Sequence, residues 1–89
     1  MKRIANLSII IENANDENIA KINSILHEYS EYILGRMGVP DKTHDVNIIS
    51  IALCAGLDIL NGLTGKLGKI KDVSAKILIS NKEYESWSF

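Results

Sequence analysis

Eighty-nine residues, 46% hydrophobic and 24% charged with a single proline, make one ordinary globular domain of roughly average composition. A chain this short buries only roughly 60–65% of its unfolded surface, so association with a partner would stabilise it. Ten basic against eleven acidic residues give a net charge of −1 and a pI near 6.1, a balance that argues against a surface built for nucleic acid or anionic lipid.

The one cysteine, Cys54, excludes an internal disulfide and a thiolate-held iron–sulfur cluster within one chain. Polar residues interrupt the apolar run after Met1-Lys2-Arg3, unlike a signal peptide, and no apolar stretch approaches a membrane span. The cytoplasm is the expected compartment, with no membrane association.

Residues 3–12 read as a first strand, in which Ala5, Leu7, Ile9 and Ile11 alternate with Ile4, Asn6, Ser8 and Ile10. The cluster Asn13-Ala14-Asn15-Asp16-Glu17 supplies a turn, a capping Asn and acidic charge for a helix N-terminus. Ile19, Ile22, Ile25, Leu26 and Tyr29 follow at helical spacing, so a first helix runs to about residue 29. Residues 31–39 read as a second strand, with Ile33, Met37 and Val39 on one parity and Tyr32, Leu34 and Arg36 on the other. Pro40-Asp41-Lys42-Thr43-His44 is read as a hairpin loop, and residues 46–55 as a third strand with Ile49, Ile51 and Leu53 on one face. Gly56 breaks that strand, and Asp58 is read as the cap of a second helix carrying Ile59, Leu60, Leu63, Leu67 and Ile70. After a turn at Lys71-Asp72, Val73, Ala75, Ile77 and Ile79 mark a fourth strand.

This order, β-α-β-β-α-β, predicts an α+β ferredoxin-like fold. It has a four-stranded antiparallel sheet in the order 4-1-3-2 with both helices on one face, since crossovers are right-handed. The domain is placed at residues 1–80, and residues 81–89, with Tyr84, Trp87 and Phe89, form a polar tail that is either frayed or docked.

The sheet face without helices would present Asn6, Ser8, Ile10, Val46, Ile48, Ser50, Ala52, Cys54 and Leu78. That mixture of small and aliphatic residues is too apolar for a solvated face, and Ile48, Ser50 and Ala52 are candidate interface residues for a second copy. A homodimer or homotetramer is expected.

Gly62, Gly65 and Gly68 recur at every third position of the second helix, nearly opposite its leucine stripe. Each costs about 1 kcal/mol against alanine, so either a partner or ligand needs bare backbone there, or the helix is simply loose. Lys66, Lys69 and Lys71 suit a helix C-terminus. Arg36, a charge in mid-strand, either protects a sheet edge or meets an acidic group of a partner subunit or ligand.

Several chemistries find no support. His27, His44 and Cys54 do not pair closely enough for a metal site, and no glycine-rich phosphate loop is present. No cofactor is expected. The RNA-recognition module shares this topology but stacks bases on aromatics of its central strands, where this chain has Asn6, Ser8, Ser50 and Ala52. Direct nucleic-acid binding is therefore not expected. An enzyme of the dimeric α+β-barrel kind would have only Arg36, Tyr32 and Cys54 to offer, and a purely structural interaction module is a third possibility.

Three segments carry a resemblance: Arg36-Met37-Gly38-Val39-Pro40, Asn47-Ile48-Ile49-Ser50-Ile51 and Leu63-Thr64-Gly65-Lys66-Leu67-Gly68-Lys69-Ile70. Together they resemble a small family of regulators of the iron-only hydrogenase system, over almost the whole chain to about residue 80. The resemblance implies an ACT-like fold, similar to the sensing domain of the nickel-responsive repressor, and an oligomeric regulator with a small-molecule effector or protein partner. The chain lacks that repressor's ribbon-helix-helix DNA-binding segment and its metal ligands, so any transcriptional role is expected to pass through a partner that reads DNA. The chain departs from the family at Asp72, where glycine is common, and in its aromatic tail.

Overall fold

The computed structural model of the chain describes residues 1–85. Six main elements follow in order: β1 (Arg3–Ile11), α1 (Asp16–Glu28), β2 (Ile33–Asp41), β3 (Val46–Ala55), α2 (Leu57–Gly68) and β4 (Val73–Ile79). The sheet order is β2-β3-β1-β4 with every neighbouring pair antiparallel, which is the ferredoxin-like arrangement.

The alternation in β1 translates directly into burial. Ala5, Leu7, Ile9 and Ile11 are buried under the helices, next to Leu53, Ile51 and Ile49 of β3. The core is completed by Ile22 and Leu26 of α1 and by Leu60, Leu63 and Leu67 of α2, each at most 1% exposed. Truncating one of these to alanine costs about 2–5 kcal/mol, a large share of what a domain this small has to spare.

Asn15 caps α1, its side chain accepting the Asn18 backbone N–H at 2.9 Å, with Asp16 and Glu17 in the first turn. Asn18, a buried polar residue, donates from its own amide to the Lys71 carbonyl at 3.3 Å and so ties α1 to the turn before β4. That turn places Asp72 at φ 64°, the left-handed region, and its carbonyl accepts the Glu12 N–H at 2.8 Å.

Four details differ from the sequence reading. The cap of α2 is Gly56, without a side-chain bond, and Asp58 sits within the first turn, where its charge suits the helix dipole. The same helix ends at Gly68, so Ile70 packs on the core from the following turn. A 3-10 turn over Ser30–Tyr32 delays β2, which then continues through Pro40 and Asp41; proline is tolerated because β2 is an edge. Finally, the β2–β3 register shifts between Ile33 and Gly35. Ile33 therefore lies opposite Leu53 on the core side, whereas Met37 and Val39 lie opposite Ser50 and Ile48 on the other face.

Past β4, residues 81–85 dock on the start of β1. Lys2 and Tyr84 exchange backbone hydrogen bonds of 2.7 Å, and Arg3 pairs with Glu83 at 3.1 Å. Trp87 and Phe89 of the expected tail lie outside the described residues.

Candidate functional site

Two surfaces stand out, one on each side of the sheet. On the uncovered side the strand register sets residues in lateral rows. Ser74, Ile10, Ile48 and Val39 make one row; Lys76, Ser8, Ser50 and Met37 the next; Leu78, Asn6, Ala52 and Gly35 the third. Among the described residues, five of the seven exposed large hydrophobic side chains belong to these rows: Ile10, Met37, Val39, Ile48 and Leu78. Leu78 and Met37, 76% and 64% exposed, stand at opposite margins, and the centre is small and polar, with Asn6 donating to the Ser50 hydroxyl at 3.5 Å. Lys76 is the only charge in the three rows. The face is thus apolar around its rim and small and polar at its centre.

On the helix side, a gap opens between β2 and α1. The register places Arg36 and Gly38 opposite Ile51 and Ile49, so both point toward α1, yet both are exposed. The gap is a cleft of about 230 Å3 walled by Ile19 and Ile22 of α1 and floored by Ile11 and Ile49. Arg36 crosses it, donating from Nη2 to the Asn23 Oδ1 at 3.3 Å, and a second hollow lined by Leu26, His27 and Ile33 continues beyond that bridge.

The chain matches the family model described as "TM1266-like: Iron-only hydrogenase system regulator, putative" over residues 3–77. It belongs to the TM1266-like family. The matched span contains β1 through α2 and most of β4, so both helices and all but the end of the sheet lie within the family domain. A solved structure, that of the uncharacterized protein TM1266 from Thermotoga maritima, is similar at 34% identity and a TM-score of 0.85, covering 89% of this chain and 98% of that one. Comparison with curated proteins finds no match.

Within this family domain the seven candidate residues fall in three places. Ile48, Ser50 and Ala52 share the uncovered face, as expected, and Met37 and Val39 join them, which strand periodicity alone missed. Gly35, beside the register shift, is the signal that a bulge reverses the parity there. Arg36 lies across the sheet from them, in the cleft. Gly62, Gly65 and Gly68 are exposed on the outer side of α2.

No glycine in the described chain has positive φ, so Gly68 is an ordinary helical residue. A Cβ at Gly65 or Gly68 would meet nothing within 4 Å, and one at Gly62 would meet only the Tyr29 hydroxyl at 3.7 Å. Within one chain, then, nothing requires those glycines. The Lys66 Nζ sits 5.1 Å from the Tyr29 ring centre and 3.4 Å from a Glu28 carboxylate oxygen, joining α2 to α1. The Tyr29 side chain first, and Glu28 second, raise the Lys66 pKa. Burial first, and Glu31 second, raise that of Tyr32.

Cys54 is buried opposite Ile4, on the other side of the sheet from Arg36, so these two do not converge within one chain. His44 bonds Asp41 at 2.9 Å in the hairpin, far in sequence and element from His27 on α1. Among the described residues no group of three or more His, Cys, Asp or Glu could hold a metal ion, and no helix is long and apolar enough to cross a membrane.

Proposed function

We propose that this chain is an oligomeric regulatory module of the iron-only hydrogenase system that works by binding an effector and a second copy of itself, not by catalysis. The observation that carries this reading is the uncovered face, where five exposed apolar side chains surround a centre of Asn6, Ser8, Ser50 and Ala52. A two-fold pairing puts the same patch on both partners, so each apolar margin meets a counterpart while the small centre lets the sheets approach to about 10 Å. The family description, which names a regulator, supports the same role. Exposed aliphatics on a bare sheet are otherwise an aggregation liability.

Light scattering coupled to size exclusion tests the assembly. A mass of two or four times 9.9 kDa at micromolar concentration is expected. A soluble monomer under the same conditions overturns the reading. Thermal-shift screening of small molecules tests the effector, because a ligand at 100 times its dissociation constant adds about 2.7 kcal/mol of stability.

A further inference from the structure

We infer that the cleft between α1 and β2 binds a small aliphatic monocarboxylate, with Arg36 as the anchor for its carboxyl group. This deepens the effector-sensing reading and rests on it. The first ground is charge. Neither the cleft nor the hollow beyond it contains an Asp or Glu, and Arg36 makes one hydrogen bond, to the neutral Asn23 amide. Among the described residues it has no carboxylate partner. A guanidinium presents donors in a planar fork that matches a carboxylate, and this one, exposed and without an acidic neighbour in the lining, stands beside an apolar cleft.

The second ground is Gly38. It points into the cleft from an edge strand, where glycine weakens the strand, and its φ is not positive. An added Cβ there would meet nothing within 4 Å, so the fold does not need the glycine. What the missing side chain leaves is β2 backbone open to a molecule lying against it.

The lining also selects the chemistry. Ile19, Ile22 and Ile49 suit a short branched aliphatic body, and Asn23 and Asn47 offer amides to an oxo or hydroxyl group. With no acid in the lining, an ammonium group would find no counter-charge, so a plain carboxylate or 2-oxo acid fits better than the corresponding amino acid. The cleft, about 230 Å3, is smaller than the roughly 300–1,000 Å3 of pockets for drug-sized ligands, which keeps the occupant small.

Isothermal titration calorimetry on the full chain with isovalerate, 2-oxoisovalerate, valine and isopentyl alcohol tests this. Either carboxylate should bind, and valine and the alcohol should bind at least about 10-fold more weakly. Arg36→Gln should weaken carboxylate binding about 10- to 100-fold, the usual loss for a charged hydrogen bond. Gly38→Val should abolish it while circular dichroism shows an unchanged fold. No heat from either carboxylate up to about 10 mM, tenfold beyond a weak millimolar site, overturns the inference. So does binding that Arg36→Gln and Gly38→Val both leave intact, or valine binding as tightly as isovalerate. Light scattering on the same samples separates the two proposals. An oligomer that binds no carboxylate refutes the cleft alone, and a monomer that binds refutes only the assembly.

Discussion

Replacing Gly62 and Gly65 together by alanine probes whether the outer side of α2 is a contact surface. Both positions are helical with ordinary φ, so each alanine gains the intrinsic difference of about 0.8–1.0 kcal/mol measured in exposed helices, part of it from a less flexible unfolded chain. Neither new methyl is obstructed within the chain, since the nearest atom is the Tyr29 hydroxyl, 3.7 Å from a Cβ at Gly62. The fold itself should therefore gain about 1.5 kcal/mol. For a domain of this size that raises the melting temperature by roughly 6–12 °C. If a neighbouring subunit rests on bare backbone there, the same methyls intrude at a cost of about 1–3 kcal/mol, and the assembly weakens while the fold firms up. Thermal melts followed by circular dichroism read the first effect and light scattering across a dilution series reads the second. A melting temperature that rises with unchanged assembly shows that the stripe is only a weak stretch of helix. One that falls at a concentration where the chain is monomeric refutes the open geometry of α2, with single variants locating the error at Gly62 or Gly65.

Three further outcomes follow from the same geometry. Ile48 is 45% exposed, so burying the remainder in a symmetric pair is worth roughly 1.4–2.7 kcal/mol over its two copies; Ile48→Lys should weaken dimerisation at least 10-fold by light scattering with little change in the monomer's melt, and unchanged assembly would remove the uncovered face from the interface. Asp72→Gly should add about 0.5–1 kcal/mol in urea unfolding by relieving φ 64°, the loss of a long 3.4 Å hydrogen bond from Asn13 being small; destabilisation would mean that this contact matters more than the strain. Because Tyr29 and Glu28 raise the Lys66 pKa, the charged form is the one the fold favours, and its stabilisation is complete below the ordinary lysine value of about 10.4 and lost as pH rises through the raised one. The stability difference between the natural chain and Lys66→Met should accordingly be constant near neutral pH and shrink in strongly alkaline buffer, and a difference that grows there would contradict the assignment.

The order of elements, the sheet order and the buried parity of three strands were legible in the sequence. Alternation in β1, β3 and β4 is a local property: Leu7, Ile9, Ile51 and Ile77 each sit two residues from another apolar side chain, and period two permits only one way of burying them together. The Asn15 cap and the leucine stripe of α2 are local in the same sense. The family was legible too, from three segments that lie in β2, β3 and α2 with the turn after it.

The surfaces were not local. A single register shift at Leu34 turns Met37 and Val39 to the uncovered face and Arg36 toward α1, and no periodicity within β2 announces it, since a bulge is settled by pairing with β3. The cleft is walled by both α1 and the edge strand, a relation between Ile19 and Gly38 that lie nineteen positions apart in the chain (38 − 19 = 19). Asn18 reads as a polar helix residue until Lys71 comes within reach of its amide. Spacing along the chain determined which side chains share an element and, outside β2, which face of it they take. Which elements leave a gap, and which charge stands in it without a carboxylate partner among the described residues, depended on distances between segments that only the packed chain brings together.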